Sequence, residues 1–141
     1  MKITQEADYA IRIVLCLARG GGRTGARYLS ENMAIPPRFT LKIIRKLIAP
    51  GIVKSYKGVN GGYVLNRPAD EISLNDIIRA IDGELFINRC LEHGEVCGRS
   101  ADKLICPVHE NLLRINGLIS TELEKVKISS LIEKENKNEE V

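Results

Sequence analysis

The chain has 141 residues, of which 44% are hydrophobic and 28% charged, with four cysteines and a formal charge of +3. This fits one compact domain, or a domain with an appended element, and needs no disulfide framework. No apolar run approaches the roughly 20 residues of a membrane span, and Glu6, Asp8 and Arg12 interrupt the early apolar residues where a signal peptide needs continuity, so a cytoplasmic protein with reduced thiols is expected.

The charge is unevenly placed. Residues 1–67 carry +9 and residues 68–141 carry −6, which directs the first half toward a polyanion and gives the second half another task. The alternative, a solvated basic surface, requires no partner.

From Gln5 to Ala18 the apolar residues Ala7, Ala10, Ile11, Val14, Leu15 and Ala18 follow a helical period that Gly20, Gly21 and Gly22 end. Cys16 falls among Val14, Leu15 and Leu17, as a core thiol would. A short helix over Ala26 to Met33, the turn Ala34-Ile35-Pro36 and a helix opened by Pro37 and closed near Pro50-Gly51 make a helix-turn-helix. On the third helix Phe39, Ile43 and Leu47 form one stripe and Arg38, Lys42 and Arg45 another. A helix presented so fits a major groove. Its first-turn residues Arg38 and Thr40 are assigned to base edges, and Lys42, Arg45 and Lys46 to phosphates.

The runs Ile52 to Tyr56 and Tyr63 to Leu65 flank a turn that contains Asn60-Gly61, which predicts a hairpin. Behind a helix-turn-helix this hairpin is a wing, with Lys57 near its tip for a minor groove or a phosphate. Gly61 and Gly62 are expected to supply positive φ rather than base contacts. A further helix, capped by Ser73 with Asp76 at the box position, carries Leu74, Ile77, Ile78 and Ile81 toward the cysteines.

Cys90, Cys97 and Cys106, with His109, crowd one glycine-rich stretch. Thiolates are the soft ligands that iron–sulfur clusters and zinc select. The spacing Cys90-x6-Cys97-x8-Cys106 is wider than the C-x2-C pairs of most structural zinc sites and suits a labile cluster better. Pro107 places Cys106 at a helix N-cap, where the helix dipole favours an anionic thiolate. The helix that follows carries Val108, Leu112, Ile115, Ile119, Leu123 and Val126 on a near-heptad seam, which predicts packing on a second copy, with packing on its own subunit accounting for part of the stripe. From Glu133 onward apolar residues are few and the chain is expected to fray.

The opening Met1-Lys2-Ile3-Thr4 with Tyr9-Ala10, the wing from Val53 to Tyr63, the helix end Arg79-Ala80-Ile81-Asp82-Gly83 and the closing Cys106-Pro107-Val108-His109 occur in one order. In that order, over nearly the whole chain, they resemble the Rrf-two family of bacterial winged-helix regulators, with its IscR-type and NsrR-type members. The resemblance implies a homodimer on double-stranded operator DNA, whose three loop cysteines hold an iron–sulfur cluster with a fourth, non-cysteine ligand that varies between members. His109 matches the histidine of IscR-type members. Asp8 matches the carboxylate that NsrR-type members contribute from the first helix, there of the partner subunit. Asp8 is equally placed to pair with Arg12, and His109 to be an ordinary first-turn residue, so both stay open, with His93 behind them. Where IscR-type members carry a discriminating glutamate, this chain has Leu41, and at the wing position often filled by arginine it has Lys57, so their operator sequence does not carry over.

The expected architecture is mainly α with a small β-hairpin: a winged helix-turn-helix over residues 1–67, then a linker helix, cysteine loop and long dimerisation helix over residues 68–135, and a disordered tail over residues 136–141. The expected function is a DNA-binding transcriptional regulator, not an enzyme, that senses iron–sulfur status, redox state or nitric oxide. The alternative is a cluster-free winged-helix regulator whose cysteines act as thiol sensors or that answers to a partner or metabolite. An iron–sulfur electron carrier would leave the basic half unexplained.

Overall fold

The computed structural model describes residues 2–95, 97–98 and 105–140, and within them the chain forms six α-helices and one antiparallel hairpin. Helix α1 (Gln5–Gly20) is the centre of the packing. It begins where the Thr4 hydroxyl accepts the Ala7 N–H and ends at Gly21, whose φ of 61° stops a helix at no steric cost. Its buried face, Ala7, Ala10, Ile13, Val14 and Leu17, includes Cys16 at 9% exposure, a core thiol as expected. Burial pushes that thiol's pKa up.

Helices α2 (Ala26–Asn32) and α3 (Pro37–Ile48) are joined by a turn in which Ala34 adopts φ 54° and the buried Ser30 hydroxyl donates to the Ile35 carbonyl at 2.6 Å. Strands β1 (Val53–Tyr56) and β2 (Gly62–Leu65) pair in the register Val53↔Leu65 to Tyr56↔Gly62. Thr24, from the α1–α2 connection, pairs in both directions with Tyr63 at 3.1 and 2.8 Å and so lies along the hairpin as a third, one-residue rung. The two turn glycines differ in their reason. Gly62 has a φ of 143°, whereas a side chain at Gly61 would overlap the Tyr56 carbonyl, so close backbone approach and not positive φ requires glycine there.

A single 3-10 turn (Ala69–Glu71) leads to α4 (Leu74–Asp82), which starts with both halves of the expected Ser73/Asp76 capping box. Helices α5 (Pro107–Lys125) and α6 (Ile128–Glu139) complete the chain. Their junction is tied to the segment before α4: Leu74 N–H donates to the Val126 carbonyl at 3.0 Å and Ile128 N–H to the Ile72 carbonyl at 2.9 Å. The Glu124 carboxylate accepts from Ser73 Oγ and Asn75 Nδ2, both at 3.1 Å.

Helix α6 runs through Glu139, into the segment where fraying was expected. Fully buried Ile128, half-buried Leu131 and Ile132, and an Arg19–Glu135 ion pair hold it against α1. One apolar cluster thus includes Leu29, Ile43 and Leu47 from the helix-turn-helix together with Ile72, Ile77 and Ile128, so residues on both sides of position 67 share a core.

Candidate nucleic-acid interface and cysteine loop

Helix α3 turns Ile43, Ile44 and Leu47 inward, which leaves Arg38, Leu41, Lys42 and Arg45 on its exposed face. Thr40 does not join them. At 2% exposure, with its hydroxyl 3.3 Å from the Pro36 carbonyl to which it donates, it is part of the core, which corrects its assignment to base edges. Two positions after Arg38, it lies about 200° around the helix from that residue.

The four cations of α3 differ in their surroundings. Lys42 Nζ is 2.7 Å and Lys46 Nζ 3.2 Å from the two carboxylate oxygens of Glu6, a first-turn residue of α1. These two ammonium groups, Lys42 first, hold the Glu6 carboxyl below its ordinary pKa. The Arg38 guanidinium lies 4.8 Å over the Phe39 ring, and neither Arg38 nor Arg45 has an ion pair among the described residues.

Lys57 is exposed at the end of β1. Beside it lies a cationic group that periodicity did not reveal. The Arg23 guanidinium stacks 3.8 Å from the Tyr56 ring centre and donates to the Asn60 carbonyl at 3.0 Å, while Lys54 Nζ is 5.2 Å from the same ring. Those cations, Lys54 first, lower the Tyr56 pKa. Arg23 therefore joins the α1–α2 connection to the hairpin tip.

None of the four thiols is in a disulfide, and Cys90, Cys97 and Cys106 are half-buried. Cys90 sits in a 3-10 turn (Arg89–Leu91) and accepts from Asn88 Nδ2 at 3.3 Å. Cys106 occupies the N-cap of α5, as its place before Pro107 predicts. His109, one turn further, has a buried Nδ1 with no hydrogen-bond partner among the described residues. Asp8, by contrast, pairs with Arg12 at 2.6 Å and accepts from Gln5 Nε2 at 3.3 Å. Exposed His93 meets Phe86 edge-on, with ring centres 6.3 Å apart.

The described residues bring no three His, Cys, Asp or Glu side chains together around one metal position. The donor chemistry nevertheless fits a thiolate-selecting centre, since three half-buried cysteines share one loop and the His109 imidazole, one helical turn after the last of them, has a desolvated nitrogen with no partner among the described residues.

Asn116 holds the start of this loop to α5. Its Oδ1 accepts from Ile87 N–H and its Nδ2 donates to the Leu85 carbonyl, both at 2.9 Å. Helix α5 itself has no buried residue, and Val108, Ile115 and Leu118 are 50%, 38% and 54% exposed. Leu112, Ile119, Leu123 and Val126 of the expected seam are half-buried. No helix among the described residues is long and apolar enough to cross a membrane.

Comparison with known proteins places this arrangement among regulators. A family described as "Iron-dependent Transcriptional regulator", Rrf2, matches residues 3–134. A Haemophilus influenzae protein bearing the name of an HTH-type transcriptional regulator is 30% identical over 138 residues, 96% of this chain and 89% of its own length. Against two Mycobacterium tuberculosis relatives, 36% identical over 98 residues, the chain spans 61% of their length. The structure of CymR, the global cysteine regulator of B. subtilis, superposes with a TM-score of 0.76 at 25% identity, covering 95% of this chain and 98% of that one. T. potens IscR shares the fold with a TM-score of 0.74 at 20% identity, over 95% of this chain and 88% of its own.

Proposed function

Because the chain belongs to the Rrf2 family of transcriptional regulators, a family of regulators rather than enzymes, we propose that it binds operator DNA as a homodimer and that an iron–sulfur cluster on its cysteine loop sets the affinity. The exposed face of α3 supplies Arg38 for base edges and Lys42, Arg45 and Lys46 for phosphates. Leu41, 46% exposed between them, suits a thymine methyl rather than a hydrogen-bonding edge. Lys57 and Lys54 on the hairpin add backbone contacts, with Arg23 fixing the hairpin's position. The outward Val108, Ile115 and Leu118 of α5 pack on a second copy, and two recognition helices then face one side of a duplex.

The buried Nδ1 of His109, with no hydrogen-bond partner among the described residues, is the observation that carries the cluster reading. Cys90, Cys97 and Cys106 would hold the cluster and His109 complete it, whereas Asp8 is committed to Arg12 in its own subunit. A cluster bound there supplies a centre that oxygen, nitric oxide or iron shortage removes or alters. Cys106 stands at the N-cap of α5, and Asn116 keeps the path from α4 to Cys90 fixed on α5.

A cluster-free regulator is the second reading. It is favoured by the separation of the sulfur and imidazole donors and by the likeness to CymR. Anaerobic purification with absorption spectra and iron and sulfide analysis separates the two. The proposal expects a coloured wild type, loss of iron and sulfide in His109→Ala, and retention in Asp8→Ala. The reverse pattern would give the fourth ligand to the partner subunit's Asp8, and colourless wild-type protein would leave the cluster-free regulator. Equal affinity of cluster-loaded and cluster-free dimers for one duplex at fixed salt would sink sensing through the cluster.

A further inference from the structure

We propose that Glu6 is an internal counter-ion of the recognition helix, occupying Lys42 and Lys46 until a DNA phosphate displaces it. The inference rests on the reading that α3 meets DNA and assigns a role to a residue that reading does not use.

Three observations carry it. The first is the pairing itself: Glu6 lies on a different helix, 36 and 40 residues before its partners, and each of its oxygens takes one lysine, at 2.7 and 3.2 Å. The second is the rigidity of its mounting. Thr4 caps α1, and its hydroxyl also reaches Asp82, at the end of α4, at 2.5 Å, so the first turn of α1 is fixed at both its own cap and a second helix. The third is the location. Lys42 lies between Arg38 and Arg45 on the exposed face of α3, where the Glu6 carboxylate meets it at the surface that a duplex would approach.

A phosphate approaching Lys42 therefore meets a fixed carboxylate already bound to it. The anion is stable there, because the N-terminal turn of α1 and both ammonium groups favour it. The cluster of Glu6, Lys42 and Lys46 presents one net positive charge to DNA instead of two. Arg38 and Arg45, with no ion pair among the described residues, engage without such competition. Glu6 thus divides the cations of α3 into two that are available at once and two that must first be released, which weakens binding to any duplex whose contacts do not pull Lys42 out.

The same geometry permits a plain strut between α1 and α3, and the test separates the two. Full-length wild type and Glu6→Gln are titrated with a mixed-sequence duplex of about 30 base pairs, three helical turns, over a range of salt concentrations. Thermal stability is measured in parallel. Release of a counter-ion predicts tighter binding by Glu6→Gln, about 1.5- to fivefold at low salt, the range of one exposed ion pair. It also predicts a log affinity–log salt slope steeper by about one, because the Glu6 carboxylate freed in wild type takes up a salt cation and the glutamine does not. Both changes should vanish when Lys42→Gln and Lys46→Gln are added. Lower stability with unchanged affinity and slope identifies a strut and overturns the proposal, as does weaker binding by Glu6→Gln. If wild type itself shows no salt-dependent binding, the DNA-binding reading fails and the proposal with it.

Discussion

At Gly62 the backbone stands at φ 143°, and a methyl group would come within 3.0 Å of the Thr24 backbone nitrogen and oxygen. The glycine therefore lets Thr24 close its two hydrogen bonds with Tyr63. Gly62→Ala should cost about 1–3 kcal/mol of stability in a denaturant titration and should lower duplex affinity, because the hairpin loses its attachment to the α1–α2 connection. Legibility varied from residue to residue. Arg38, Lys42 and Arg45 face outward as their spacing requires, because position on a regular helix follows directly from residue number. Thr40 was misread because proximity to the helix start was weighed above its angle. Arg23 escaped notice because its contacts are with Tyr56 and Asn60, more than thirty residues away, and no local period encodes such a meeting.

Among the elements, Asn116 of α5 holds the chain leading from α4 with two hydrogen bonds. Replacing Asn116 by Leu keeps its bulk and leaves the Ile87 N–H and the Leu85 carbonyl without their partner. The expected cost is about 1–3 kcal/mol, and hydrogen exchange at the Ile87 amide should accelerate while amides in α1 stay protected. Caps were legible in advance: the Ser73/Asp76 box and the Pro107 start stand where their residue types dictate. The α5 seam was legible only in part. Val108 and Ile115 point outward, but Leu112, Ile119, Leu123 and Val126 are half-buried, since an apolar period records that a face is covered and not by what. Helix α6 was missed because its attachment depends on three apolar residues and the Arg19–Glu135 pair reaching α1, a long-range choice that tail composition conceals.

For the whole molecule, the split of charge at position 67 was plain in the sequence, whereas the shared core across that position was not. Because α4 and α6 pack on α1, the half that carries the cysteines and the half that carries α3 are not independent bodies. Association of two such bodies should depend on the outward face of α5. Ile115→Glu and Leu118→Glu should each weaken the dimer by about 2–4 kcal/mol, thirtyfold or more in dissociation constant, read by analytical ultracentrifugation. The circular dichroism of the monomer should be preserved, since both side chains are exposed in the isolated subunit. An unchanged sedimentation coefficient in both variants would place the dimer contact elsewhere.

Pro107 gives the junction between the cysteine loop and α5 a mechanical character. It has no N–H to extend α5 backward, and it holds Cys106 in an extended conformation, φ −86° and ψ 113°. Winding Cys106 onto the helix would therefore meet two obstacles, the missing N–H and the clash that Pro107 raises against a helical residue before it. A displacement of Cys106 would therefore reach α5 at a defined first residue, as a change of heading rather than as an added turn.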